Sequence, residues 1–224
     1  MPQTDLATRN ILIANGVTLV VALWQGWGVV QLMWPFWIQS MIIGWYARQR
    51  MLKLSQFCTE GFRINNRAVD PTPATRRSTA NFFALHYGFF HLVYLFFLMA
   101  MTGDASSGGT ILVTNSSTGV TSEVMVGSVH PLDFLIFAVL GVGFWRTHRA
   151  SHAEHVAADL GGRPNIGTLM FMPYVRILPM HLAIIIGVAM GGIGAVWLFM
   201  LLKTGADVGM HKLEHHMLQR PEQA

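Results

Sequence analysis

The chain has 224 residues, is 52% hydrophobic and 12% charged, and carries a formal net charge of +4. Soluble domains are about 25% charged, so this deficit argues against an ordinary soluble globule and predicts an integral membrane protein. The single cysteine, Cys58, excludes an intrachain disulfide framework, and the basic excess flanks apolar runs, which is a topology signal and not a nucleic-acid footprint.

Residues 1–10 are polar, and the apolar run after them continues at spanning length, so no cleavable leader is expected. A helix needs about 20 mostly apolar residues to cross the hydrocarbon core. Six runs qualify. They are 11–33, then 34–51 after a turn near Pro35, then 80–101, 131–150, 174–190 and 194–218, with Gly191 and Gly192 turning the chain between the last two. The predicted fold is all-α: one polytopic membrane bundle of six transmembrane helices over residues 1–224, with an outer loop at 102–129. Within that loop the alternation at 110–114 and 123–126 predicts a short hairpin.

The loops orient the bundle. Arg48, Arg50, Lys53, Arg63, Arg67, Arg76 and Arg77 lie between spans two and three, and Arg146, Arg149 and Arg163 between spans four and five. Lys203, Lys212 and Arg220 belong to the C-terminal segment, whereas 102–129 has no Lys or Arg. Basic loops stay in the cytoplasm, so both termini are expected there and the Gly/Ser/Thr-rich loop outside.

Polar groups in a bilayer are rare unless something compensates for them. Of ten histidines, eight fall toward the cytoplasmic side: His86, His148, His152, His155, His181, His211, His215 and His216. Asp207, His211 and His215 are four apart on the sixth span, with Glu214 on the same stripe. Two His at i and i+4 can share one metal, but the stripe from Asp207 to His215 is about 12 Å long, too long for one ion. His148, His152, His155 and Asp159 form a similar stripe after the fourth span. Imidazole and carboxylate suit zinc, iron, manganese or copper, which makes His86, His148, His152, His181, Asp207, His211 and His215 the candidate metal ligands and Glu214 the candidate base. His91 is about 140° around the helix from His86 and is expected to stand apart. His130, heading His-Pro-Leu-Asp133, reads as a helix start. The competing reading is a hydrogen-bonded polar network without metal.

Several short segments in order carry a resemblance: Phe36-Trp-Ile-Gln39, Ile43-Gly44, His86-Tyr-Gly88, Ser151-His152, Pro173-Tyr-Val-Arg176-Ile with His181, and Lys203 with Asp207, His211 and Glu214-His215. Together they resemble an uncharacterised family of bacterial multi-span membrane proteins defined by a domain of unknown function. The resemblance implies a multi-pass protein of the bacterial inner membrane and marks His86, His152, His181, Asp207, His211 and His215 without giving them roles. At Gln39 the family pattern implies an acidic residue. A more distant similarity, of ingredients only, is to seven-span zinc amidases of the ceramidase type.

These observations predict a membrane protein with a His/Asp metal site near its cytoplasmic side. The leading expectation is a zinc-dependent hydrolase acting on a lipid-like substrate, with three protein ligands and an activated water. One alternative is a non-hydrolytic metal or haem protein, His86 and His181 supplying axial ligands. Another is a channel or transporter whose histidines form a proton relay or a helix clamp. Membrane lipids are the expected partners, with homo-oligomers open and nucleic acid not expected.

Overall fold

The computed structural model describes residues 3–105, 110–114, 118–125, 129–175, 177 and 192–218. It is all-helical apart from two small hairpins. The helices are α1 (Gln3–Gln25), α2 (Val29–Lys53), α3 (Pro73–Ala105), α4 (Pro131–Leu160), α5 (Ile166–Val175) and α6 (Gly192–Leu218).

The first turn lies at 26–28, nine residues before Pro35, because glycine and not proline decides it. Gly26 has φ +66°, a conformation that costs glycine nothing. Its N–H bonds to Leu23 O at 3.3 Å and the Trp27 N–H to Ala22 O at 2.8 Å, closing a Schellman cap with Trp27 and Ala22 both buried. Pro35 is carried inside α2. At the start of α2 the Gln31 Oε1 accepts from the Gly28 N–H at 2.9 Å.

Other boundaries follow side-chain chemistry. Thr72 Oγ1 accepts from the Thr75 N–H at 3.1 Å and α3 begins at Pro73, seven residues before the predicted span. At α4 the His130 N–H donates to Asp133 Oδ2 at 2.8 Å and the Asp133 N–H to His130 O at 2.9 Å, so the His-Pro-Leu-Asp segment is a helix start. α4 then runs ten residues past the predicted span. α5, not anticipated, is capped by Asn165, whose Oδ1 accepts from Gly167 N–H at 2.9 Å. Most of the predicted fifth span, 174–190, lies outside the described residues.

Between α2 and α3, Arg63–Ile64 (β1) pairs antiparallel with Arg67–Ala68 (β2). Asn65 and Asn66 form its turn with φ +50° and +63°, the positive pair that a two-residue hairpin turn demands. Thr110–Thr114 (β3) pairs with Thr121–Met125 (β4), Leu112 opposite Glu123, which is the hairpin expected between α3 and α4.

α2 is the hub: it packs against α3, α4, α5 and α6, while α1 lies against α6 and α4. Its contact with α3 depends on Gly44, where a Cβ would stand 2.4 Å from Tyr87 Cε1. At one end of the bundle Trp27 Nε1 donates to Asp133 Oδ1 at 2.9 Å and Trp34 Nε1 to Thr102 Oγ1 at 3.1 Å. At the other end the Cys58 N–H bonds to Pro164 O, and the Ile166 N–H to Cys58 O, each at 3.1 Å. The segments bearing Arg48–Arg77 and Arg146–Arg163 therefore share one end, the basic end.

Of the six spanning helices expected, the described residues support one by length and composition. Among the described residues only Pro73–Thr102, with mean hydropathy 1.7, is long and apolar enough to cross a membrane. Leu12–Gln25 and Ile166–Val175 are shorter apolar helices. α2, α4 and α6 carry charged and polar side chains that the fold buries, including Arg50, Asp159, Lys203 and Asp207, and these interrupt apolar runs.

Candidate functional site

Among the described residues, three of the polar clusters lie where two helices meet. The first joins α1 to α6. Lys203 and Asp207 are one helical turn apart and form an ion pair. Asn15 of α1 completes it: Lys203 Nζ donates to Asn15 Oδ1 at 3.0 Å, and Asn15 Nδ2 donates to Asp207 Oδ2 at 3.1 Å. Lys203 Nζ also stands 4.4 Å from the centre of the Phe36 ring, so the ammonium meets a carboxylate, an amide oxygen and a π-face. Asn15, Lys203 and Asp207 are all buried. A buried charge is tolerable only when paired and hydrogen-bonded, and this arrangement does both.

The second cluster joins α2 to α4 at the basic end. The Arg50 guanidinium grips Asp159 with two parallel bonds, one through Nε and one from Nη2 to Oδ1 at 2.9 Å. A turn away, His152 Nε2 is 3.4 Å from Lys53 Nζ, and its ring lies 4.9 Å from Tyr46. Burial pushes the His152 imidazole below its usual pKa, the Lys53, Arg50 and His155 charges push it further, and Asp159 opposes them. His148, His152 and His155 are half-buried and Asp159 is buried, so the stripe in the sequence is the face that α4 turns to the end of α2.

The third cluster joins α2 to α3. His91 Nδ1 donates to Tyr87 O at 2.8 Å, and its Nε2 meets Ser40 Oγ at 2.8 Å. The Tyr87 hydroxyl donates to Ser40 O at 3.0 Å, and Trp37 Nε1 donates to His91 O at 2.9 Å. The Tyr87 and His91 rings stack at 4.2 Å. His86, on the same helix, is exposed and bonds through Nδ1 to the Tyr174 hydroxyl at 2.9 Å.

The predicted ligands are thus distributed over separate partners. His152 is level with Lys53 on α2, whereas the Lys203–Asp207 pair is level with Phe36. Those α2 positions are 17 residues apart, about 25 Å along the axis, so Asp207 and His152 serve different sites. Among the described residues no group of three or more His, Cys, Asp or Glu is close enough to hold a metal ion. His181 lies outside the described residues, as do the side chains of His211, Glu214 and His215; their helix, α6, is continuous through Leu218.

Sequence reasoning missed Asn15, the lone amide in an apolar run, and read Arg50 and Lys203 as loop cations. The spacing Lys203-x-x-x-Asp207 was a signal for an ion pair. Among the α3 histidines, the deeply enclosed one is His91 and not His86.

The sequence model of a family of unknown function, DUF6498, matches residues 2–224. No curated protein and no solved structure matches the chain.

Proposed function

This chain belongs to the DUF6498 family, whose function is unknown, and we propose from its own geometry that it is a multi-span integral membrane protein of the channel or transporter class. In this reading the buried Lys203–Asp207–Asn15 cluster is its proton- or cation-handling centre. The observation that carries it is the inversion of polarity between inside and outside. Leu85, Phe89 and Phe96 on α3, Leu135 and Val139 on α4, and Val20 and Trp24 on α1 are exposed, while Asn15, Lys203 and Asp207 are buried. Apolar exposure on this scale marks a surface that meets lipid or another chain. Ionisable groups inside such a bundle are the default candidates for an ion or substrate pathway.

The basic end supports an orientation with Arg48–Arg77 and Arg146–Arg163 at the cytoplasmic face. In this reading, which the resemblance to bacterial multi-span proteins supports, the chain is a multi-pass protein of the bacterial inner membrane with lipids as its surroundings. Retention in the membrane pellet after alkaline carbonate extraction tests the membrane reading. Proteoliposomes with an entrapped pH indicator and an imposed potassium diffusion potential test the centre. The wild-type protein should carry protons, and Asp207→Asn should reduce the flux at least tenfold. A wild-type protein that carries none overturns the proton reading.

One observation favours a second reading, a metal-dependent membrane hydrolase. α6 runs unbroken from Gly192 to Leu218, which supports Asp207, His211 and His215 falling at four-residue steps along one helix, with Glu214 beside them as base. His181 would join one neighbouring pair of these, Asp207 with His211 or His211 with His215, in a ligand set suited to zinc, or to iron, manganese or copper. About one metal ion per chain by elemental analysis, lost in His181→Ala or His211→Ala, supports this reading. Full metal content in both variants removes it.

A further inference from the structure

Trp34 bridges the two helices that flank α2. Its Nε1 bonds to Thr102 of α3, and its ring meets Phe134 and Phe137 of α4 at 5.5 and 6.4 Å. Toward the basic end the same stripe of α2 comes to the surface, Met41 being 38% and Trp45 51% exposed. Among the described residues α3 and α4 pack on α2 rather than on each other. The stripe from Trp34 to Trp45 is about 16 Å long, close to one leaflet of a hydrocarbon core about 30 Å thick.

Each of the three helices ends this face on an arginine. On α2 the stripe Trp34, Met41, Trp45 and Arg48 advances by seven, four and three residues. On α4, Trp145 follows Phe134 by 11 residues and Arg149 follows Trp145 by four. On α3, which runs the other way, Arg77 precedes Thr102 by 25 residues, about seven whole turns, and precedes Asn81 by one turn. Arg48 Nη2 donates to Asn81 Oδ1 at 3.1 Å, and the Trp145 ring lies 5.1 Å from Tyr46. These contacts set the three arginines within about one turn of a common level. Arg77 and Arg149 are exposed and Arg48 is half-buried. None of the three forms an ion pair among the described residues. The exposed Trp45 and Trp145 stand just inside them, the aromatic-then-basic order of a membrane interface.

We infer that this face binds an anionic phospholipid, its phosphate held by Arg48, Arg77 and Arg149 and one acyl chain lying over Trp45 and Met41. The planar guanidinium fork suits phosphate oxygens. Charge decides the headgroup. A zwitterionic lipid brings its own cation to three arginines that no carboxylate pairs, whereas phosphatidylglycerol brings none.

The inference rests on the membrane reading and is independent of the Lys203 cluster. The experiment is native mass spectrometry of the full chain released from nanodiscs that hold equal amounts of phosphatidylglycerol and phosphatidylcholine with the same acyl chains. The wild type should retain phosphatidylglycerol in preference. Arg77→Gln and Arg149→Gln should each cut that preference about fivefold. Lys53→Gln should leave it unchanged, because Lys53 lies at the same end but on the side of α2 that meets His152. Equal retention of both lipids, or an equal loss in Lys53→Gln, overturns the inference and leaves the membrane reading intact. Displacement of the lipid by glycerol 3-phosphate overturns it in favour of a soluble phosphate. A chain that does not enter nanodiscs overturns both readings.

Discussion

The two buried ion pairs use the same charges to different ends. Arg50 and Asp159 are 109 positions apart, and their two parallel bonds tie the end of α2 to the end of α4. Lys203 and Asp207 belong to one helix, in the order Lys before Asp, which is the less favourable one for an isolated helix. Their pairing adds little to α6 as a helix; what it presents to α1 is a compact dipole that Asn15 reads from both sides. The first pair is a latch built from a rigid fork. The second is a point charge held by a carboxylate, an amide oxygen and a π-face, and through Asn15 it joins α6 to α1. Buried charge alone therefore does not identify a centre; the geometry of its partners does.

The largest expected effect breaks the second pair. Asp207→Ala takes the carboxylate away from the buried Lys203 ammonium, a loss of about 3–5 kcal/mol, read as a lower thermal midpoint in detergent. Lys203→Met with Asp207→Leu should recover most of that stability while abolishing proton flux. A double variant as unstable as the single one would show that the charge was not the cause. Next, Asn15→Ala removes a donor and an acceptor from the same cluster and should cost about 1–3 kcal/mol, with α1 accessibility to a thiol probe rising in parallel.

Arg50→Lys keeps the charge but loses the fork, at a cost of about 1.5 kcal/mol. If the two pairs are as different as their geometry, this change should leave proton flux unaltered. The smallest effect concerns His152, whose folded pKa is depressed. The unfolded chain then binds its proton first as pH falls, so stability declines on acidification below about 6.5 and the decline is complete once the pH is below the folded value. His152→Gln should flatten that part of the stability–pH profile; an unchanged profile would assign the acid sensitivity elsewhere.

Much of the secondary structure was legible because it is local. The start of α4 follows from Pro131 at the first helical position and Asp133 three residues after His130, and the β3–β4 hairpin from alternation alone. The turn after α1 was misplaced because Pro35 is the louder residue, although Gly26 is the one that adopts positive φ. α5 was missed because Asn165 is satisfied partly by Glu60 O, 2.8 Å from its Nδ2 and more than a hundred residues away in sequence.

The sequence by itself determined an all-helical chain with little charge, basic segments set apart from a loop free of Lys and Arg, and the spacing that makes His148, His152, His155 and Asp159 one face. Which partner each polar group meets was decided only in three dimensions. Helical periodicity fixes where a side chain points around its own axis, but not which neighbouring helix arrives there or at what height. That is why Asp207 joins Asn15, Asp159 joins Arg50, and His91 and His86, five residues apart on one helix, end as an enclosed structural bond and an exposed open one.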